Sequence, residues 1–263
     1  MSTMLVRRLL PGLEHTRLFH PLRDTYLRTC NRRYWRDCVE GPRRFYREFV
    51  GKGSCVFDIG ANVGECARAF LSLGASRVVA VEPTPHLAEK LKYMGDKRLA
   101  VVPCAIDKQA GTVQFHVSNF DTLNSISKEW IGRVSDEVDG QFPKWIGTAN
   151  VEARTLDSLI QEYGKPDFIK IDVEGHELET LQGLTEAPKY LGFEFHSVLI
   201  ETALACLRQP CFSKTARFDY LIGEPYGQSV LALPKWATAE QMSEIARTKL
   251  ATGRLYGDIF VRS

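Results

Sequence analysis

The chain has 263 residues, 44% of them apolar and 25% charged, which is the balance of an ordinary globular protein. That length carries one domain, or one domain with an extension, and is long enough to bury a full core. Net charge is +2 but uneven: residues 1–53 hold twelve Lys/Arg against five Asp/Glu, and the remainder holds 22 against 27. The basic start can meet an anionic partner or be a solvated helical face, and the solvated face is the weightier reading.

The seven cysteines are an odd number and contain no C-x-x-C pair, so neither a disulfide framework nor a zinc site is indicated. Free thiols in a reducing, cytoplasmic compartment are expected. No apolar run approaches a membrane span; the longest candidate, residues 197–207, is interrupted by Glu201. Residues 1–10 are basic but lack the apolar stretch of a signal peptide.

Residues 1–53 read as an N-terminal helical extension. Phe19, Leu22, Tyr26 and Leu27 have helical spacing, as do Phe45, Tyr46 and Phe49, and Pro11, Pro21 and Pro42 break the segment into short pieces. From residue 54 to 263 the pattern is that of one α/β domain. Cys55–Ile59 is a buried strand ending in a Gly-rich turn, 65–73 a helix and Arg77–Val81 the next strand. Residues 85–94 form a helix with Pro85 in its first turn, where proline is tolerated, and 99–103 a third strand. Such alternation with continuously apolar strands means a parallel sheet covered on both faces.

Residues 111–117 alternate and read as a half-exposed strand paired with 151–155. Between them, 119–149 reads as an irregular insertion near the functional mouth, with Gly132, Gly140 and Pro143 as breakers. A helix over 156–163, a fourth parallel strand over 168–172 and a helix over 177–184 follow. The fifth strand is expected at 197–201, and the last two at 230–233 and 258–261 with a helix over 239–250 between them.

Three motifs carry chemistry. In Val56-Phe-Asp-Ile-Gly-Ala-Asn-Val-Gly64, the strand delivers Asp58 to its end, Gly60 allows the backbone to approach a ligand, and Gly64 opens a helix. The turn lacks the third glycine of a dinucleotide fingerprint. It suits an amino-acid tail, with Asp58 facing an ammonium and the turn amides a carboxylate; an ordinary strand–helix turn is the plain alternative. In Val79-Ala-Val-Glu-Pro83, Glu82 ends the second strand about twenty residues after the turn, as a ribose-diol acceptor does. A solvated acid is the alternative there.

The third motif is Ile169-Lys-Ile-Asp-Val-Glu-Gly-His-Glu177. Its strand should lie beside the first at the switch point of the sheet, where ligands of open α/β sheets bind. Asp172, Glu174 and His176 would then reach the reaction mouth. His176 at a helix start is a candidate base, because the dipole favours the neutral ring; it is equally a helix cap. Glu201, at the end of the expected fifth strand, would face the same pocket. Asp172, Glu174 and His176 are poorly spaced as metal ligands, since alternate strand residues face opposite ways, and no metal is expected.

Taken together these segments resemble the FkbM-type family of class I S-adenosylmethionine-dependent methyltransferases, and Lys170-Ile-Asp-Val-Glu-Gly-His-Glu177 resembles it most. The resemblance spans roughly residues 54–203. It implies a Rossmann-like class I methyltransferase fold: a seven-stranded, mostly parallel sheet with helices on both faces and the last strand antiparallel. It implies S-adenosyl-L-methionine as cofactor, held by Asp58, Gly60, Ala61, Asn62, Gly64 and Glu82, with Cys104, Ala105 and Ile106 near the adenine. It also implies O-methylation of a hydroxyl on a sugar, glycan or small secondary metabolite, with His176, Asp172 and Glu201 as candidate catalytic groups.

A nucleic-acid or protein methyltransferase is the first rival. Base-amine methylation generally comes with an Asn/Asp-Pro-Pro-aromatic signature after the fourth strand, and this chain has Asp172-Val-Glu-Gly there. An NAD-dependent oxidoreductase lacks support from the turn. A non-catalytic binding module is the rival from another class, and intact Asp58, Gly60, Gly64 and Glu82 weigh against it. Oligomeric state is not legible in the sequence.

Overall fold

The computed structural model describes residues 31–119, 123–137 and 144–263, with Thr25 and Thr29. The helical pieces expected over residues 1–24, including Phe19 and Leu22, lie outside the described residues, as do Tyr26, Leu27 and Cys30. The elements in chain order are α1 (Arg32–Trp35), a π-helical turn (Arg36–Glu40), α2 (Gly41–Tyr46), β1 (Cys55–Ile59), α3 (Glu65–Ser72), β2 (Arg77–Val81), α4 (Pro85–Lys92) and β3 (Leu99–Val102). Then come β4 (Ala105–Ile106), β5 (Gly111–Ser118), α5 (Lys128–Glu137), β6 (Trp145–Arg154), α6 (Leu156–Tyr163), β7 (Phe168–Ile171) and α7 (Glu177–Gln182). The chain ends with β8 (Tyr190–His196), α8 (Ile200–Cys206), β9 (Arg217–Ile222), α9 (Ala239–Ile245) and β10 (Tyr256–Arg262).

Seven strands form one sheet in the order β3-β2-β1-β7-β8-β10-β9. β10 runs antiparallel to both its neighbours, β8 and β9, while β1 pairs in parallel with β2 and β7. The chain therefore moves outward from β1 through β2 and β3, then returns to place β7 on the other side of β1. The switch point lies between β1 and β7, where an open α/β sheet has its ligand crevice. A second, three-stranded sheet, β4-β6-β5, sits after β3.

Alternation along the strands sorts side chains between two apolar layers. Phe57, Ile59, Val79, Val81, Ile169 and Ile171 pack with Leu156 and Leu159 of α6, Leu181 of α7 and Leu204 of α8. Val56, Val78 and Phe168 face the other way, against Tyr46 of α2, Phe70 of α3 and Phe260 of β10. The short N-terminal helices are held there by aromatic contact: Phe49 stacks on Phe168 at 5.3 Å and on Phe260 at 4.9 Å between ring centroids.

Three expectations need correction. The fifth strand is Tyr190–His196, not 197–201; Ser197–Leu199 is a 3-10 turn and Glu201 stands exposed in the first turn of α8. The real strand carries Gly192 and Glu194 in its middle, which breaks the apolar run that marks a central strand. Gly192 is there for packing, because a Cβ would lie 2.9 Å from Phe260 Cε1. Residues 230–233 are loop, and the strand is Arg217–Ile222. Buried Asp219 disguised it; its Oδ1 accepts hydrogen bonds from the Tyr220 and Leu233 amides. The stretch 119–149 is not wholly irregular, since it contains α5 and the first half of β6.

Among the described residues no helix is long and apolar enough to cross a membrane. The described cysteines, Cys38, Cys55, Cys66, Cys104, Cys206 and Cys211, are free thiols. Phe49→Ala should cost about 3–5 kcal/mol of stability, as truncation of a buried phenylalanine does. Urea unfolding checks this, and a loss below about 1 kcal/mol would show that the N-terminal segment is not anchored by this ring.

Candidate active site

A cavity of about 260 Å³ opens at the switch point, bounded by the ends of β1, β2, β7 and β8. Its wall includes Asp58, Gly60, Ala61, Asn62, Glu82, Cys104, Ala105 and Ile106 of the expected cofactor set, and Asp172 of the expected catalytic set. Gly64, His176 and Glu201 are not part of it.

The β1 turn is shaped by backbone demands. Gly60 (φ 81°) and Asn62 (φ 47°) both occupy the left-handed region, which glycine adopts freely and asparagine tolerates. A Cβ on Gly60 would fall 1.7 Å from the carbonyl oxygen of Asp172. Its glycine is thus required by contact with the end of β7, where the sequence reading placed a ligand. Gly64 serves helix packing: a Cβ there would sit 2.5 Å from Leu91 Cδ2 of α4.

Two carboxylates point the site toward its ligand. Asp58 is fully buried, and its Oδ2 has no hydrogen-bond partner among the described residues. Burial pushes its carboxyl up to about 6, against the opposing pull of the Lys170 ammonium. Glu82, also buried, accepts the Thr84 amide on Oε1 at 2.8 Å and the Asn62 amide on Oε2 at 2.9 Å. These two bonds fix the carboxylate and leave further lone pairs for a ligand. Burial raises its carboxyl and the two amide bonds oppose that rise.

On β7, Lys170 lies opposite Asp58 in the strand register, and its Nζ donates to Asp172 Oδ2 at 2.6 Å. Burial disfavours the ammonium, but the Asp172 charge beside it, the first of several opposing contributions, helps raise Lys170 well above the usual lysine range. In Asp172, burial acts upward; the Lys170 charge and hydrogen bond outweigh it and hold the carboxyl below its ordinary value. Asp172 is thus an anion at neutral pH and a weak base.

The structure moves His176 out of the reaction mouth. Its Nε2 lies 3.3 Å from Asp107 Oδ1 and its Nδ1 lies 3.6 Å from Glu179 Oε2, so the ring ties α7 to the segment after β4. It makes no side-chain cap bond to its helix. Glu177 does the local work, accepting the Val173 and Gly175 amides on Oε1, each at 3.2 Å. Asn124 lines the cavity, accepting the Ser118 amide at 2.7 Å, and Ser125 donates to the Glu174 carbonyl at 2.6 Å.

The sequence reading missed Glu194 and His196, which the displaced fifth strand hid, and Glu224-Pro225-Tyr226 in the loop after β9. Glu194 and Glu224 line the cavity with Asp58, Glu82, Asp172 and Glu174. A glutamate in an otherwise apolar stretch, Leu-Gly-Phe-Glu-Phe, was the available signal. Burial and the Asp172 charge push Glu194 well above the carboxylate range; burial and Glu194 do the same for Glu174. Against these acids the cavity wall has one described cation, Lys170. The site is built to receive positive charge.

The methyltransferase FkbM domain matches residues 58–202, more than half of the chain. The chain belongs to the FkbM methyltransferase family. Hexuronic acid methyltransferase AglP of Haloferax volcanii is 28% identical over 155 residues, 57% of this chain and 58% of that protein. The match thus spans less than two thirds of that relative's length.

Among solved structures, a candidate RNA methyltransferase from Pyrococcus horikoshii superposes with a TM-score of 0.40 at 13% identity, covering 85% of this chain and 81% of that one. Precorrin-6y C5,15-methyltransferase from Geobacter metallireducens gives 0.40 at 10% identity, with 86% and 87% covered. The FkbM match runs from Asp58 to the start of α8, so it takes in the end of β1 and all of β2, β7 and β8 and leaves Glu224 outside.

Because the raised Asp58 carboxyl favours its neutral form in the fold, its contribution to stability is full below pH 4 and is lost as pH rises through about 6. At pH 7 the ionised group opposes folding by up to about 3 kcal/mol. Asp58→Asn should therefore raise the melting temperature of the unliganded chain at pH 7 while having little effect at pH 4. Calorimetry at both values checks it; a fall at pH 7 contradicts the assignment.

Proposed function

We propose that the chain is an S-adenosyl-L-methionine-dependent methyltransferase that methylates a hydroxyl of a glycan or small-molecule acceptor. The observation that supports this most is the pairing of Asp58 and Glu82 in one cavity. Asp58 offers a buried, unpartnered carboxylate oxygen, suited to the cofactor's ammonium. Glu82 offers a carboxylate pinned by two amides, suited to a ribose diol. Ala61 and Asn62 supply turn backbone beside them, and Cys104, Ala105, Ile106 and Phe115 supply an apolar wall suited to a purine ring. The excess of acids matches a ligand that bears two positive charges.

The cofactor, when bound, supplies a methyl group already activated on a sulfonium. The chain's task is then alignment and exclusion of water, which can contribute several kcal/mol to the rate. Asp172, held as an anion by Lys170, places negative charge at the end of β7 beside the cavity. It is the candidate among the three catalytic expectations that lines this wall, and we assign it the positioning of cationic ligand or acceptor hydroxyl. His176 and Glu201 have no part in this proposal.

A sugar acceptor is supported by the name of the Haloferax relative, whose own substrate class is a hexuronic acid, a sugar that carries both hydroxyls and a carboxylate. The free thiols support a reducing, cytoplasmic setting. No observation favours a nucleic-acid acceptor over these.

Two outcomes are expected. S-adenosylhomocysteine should raise the melting temperature of the chain, and Glu82→Gln should weaken its binding about tenfold through loss of charge-assisted hydrogen bonds. Calorimetric titration checks both, and equal affinity for the two proteins would remove the ribose assignment. With methyl-labelled cofactor and a glycan acceptor, label should enter a base-stable methyl ether. A base-labile methyl ester or an N-methyl product would overturn the hydroxyl reading.

A further inference from the structure

The ends of β7 and β8 bring together three side chains that cofactor binding does not use: Glu174, Glu194 and His196. One ligand-type atom from each lies within 4.8 Å of the other two. Glu194 Oε2 is 3.0 Å from His196 Nε2, and Glu174 Oε2 is 4.0 Å from the same nitrogen. The 3.0 Å approach is not aligned as a hydrogen bond. Both Glu194 Oε2 and His196 Nε2 are shut off from solvent and lack a hydrogen-bond partner among the described residues. Each such atom costs about 1–3 kcal/mol, so two side by side call for a ligand.

The spacing names the kind of ligand. Three atoms separated in this way share a point about 2.0–2.4 Å from each, and imidazole nitrogens and carboxylate oxygens bind first-row divalent ions at about 2.0–2.2 Å. One imidazole with two carboxylates suits Mn²⁺ and its first-row neighbours better than all-oxygen ions such as Ca²⁺. We propose that Glu174, Glu194 and His196 form a divalent-cation site at the wall of the cofactor cavity, of the class that takes Mn²⁺. This replaces the expectation of no metal, which weighed Glu174 with Asp172 and His176 because the strand bearing Glu194 and His196 was misplaced.

The surroundings hold the three groups in place. Glu194 and His196 are two residues apart on one strand and so share a face. The His196 ring packs on Trp130 of α5 at 4.1 Å between centroids and stacks with Tyr256 at 6.2 Å. Glu174 is held at φ 55°, a conformation a residue with a side chain keeps only where its surroundings enforce it, and Ser125 fastens its carbonyl.

Glu174 and Glu194 also line the cavity. Three protein ligands leave coordination positions open there, as in metal sites that bind substrate. Two adjacent acceptor oxygens, a diol or a hydroxyl beside a carboxylate, would fill them. That role rests on the methyltransferase reading above; the cation site does not.

The test uses the chain stripped with a chelator, without cofactor or acceptor. Mn²⁺ is titrated in, and the free ion is read by electron paramagnetic resonance. One Mn²⁺ per chain should bind saturably at micromolar concentration, and His196→Ala and Glu194→Gln should each weaken binding at least tenfold. No saturable binding up to millimolar Mn²⁺, or wild-type affinity in both variants, overturns the proposal. If either variant fails to fold, electron spin-echo modulation on the wild-type chain decides. Coupling to an imidazole nitrogen supports the site, and its absence overturns it. Stabilisation by S-adenosylhomocysteine is read separately. Its presence without Mn²⁺ binding counts against the cation site alone, and its absence with Mn²⁺ bound counts against the cofactor reading alone.

Discussion

Lys170 stands in the middle of β7 with its ammonium buried and 2.6 Å from Asp172 Oδ2, and the arrangement of the cavity depends on that pair. A buried ammonium is tolerated only when closely partnered, and here the partner is two residues on along the same face. Asp58 lies opposite Lys170 across the β1–β7 ladder, and Gly192 lies opposite it on β8. Asp258 of β10 is paired with Glu194 one strand further on. One cation thus serves a patch of carboxylates that extends over four strands. It holds Asp172 ionised; burial, against the opposing pull of the Lys170 charge, raises Asp58 to about 6 and Asp258 to about 7. In the proposed function, positive charge brought by a ligand would relieve that imbalance at two places: a cationic cofactor beside Asp58, and a divalent ion beside Glu174, Glu194 and His196.

The same region shows how the fold secures the site at close quarters. The β1 turn meets the end of β7 through Gly60 and the Asp172 carbonyl, at a separation no side chain permits. α5 closes over the far end, where Trp130 packs beside Gly175 and His196; a Cβ on Gly175 would fall 2.7 Å from Trp130 Cβ. These contacts tie the β1 turn, the segment after β7 and α5 together at the switch point, so the proposed cofactor pocket and the proposed cation cluster share one wall.

Much of this was legible in the sequence wherever local pattern and tertiary role agreed. Cys55–Ile59, Arg77–Val81 and Leu156–Tyr163 run over the expected residues because continuous apolar strands and an amphipathic helix report their own burial. Asp58, at the strand end before the glycine turn, and Glu82, at the end of the next strand, were expected at one mouth, and both line the cavity. The errors fell where a buried polar group or an absent side chain interrupted the pattern. Glu194 and Gly192 disguised β8, and Asp219 disguised β9. The misplaced β8 then put Glu201 in the pocket and kept Glu194 and His196 out. His176 was overvalued for a different reason: a helix-start histidine is delivered to the right end of the sheet, but its ring is claimed by Asp107 and Glu179. Pairings between distant segments are not visible in spacing.

The proposed function has the cavity at the β1–β7 switch point bind an S-adenosyl ligand with its ammonium on Asp58 and its ribose on Glu82. A crystal structure of the chain with S-adenosylhomocysteine tests it most directly. The homocysteine ammonium is expected within hydrogen-bond distance of Asp58 Oδ2, and both ribose hydroxyls on the Glu82 carboxylate. A ligand bound in the reverse orientation, or bound outside this cavity, would contradict it.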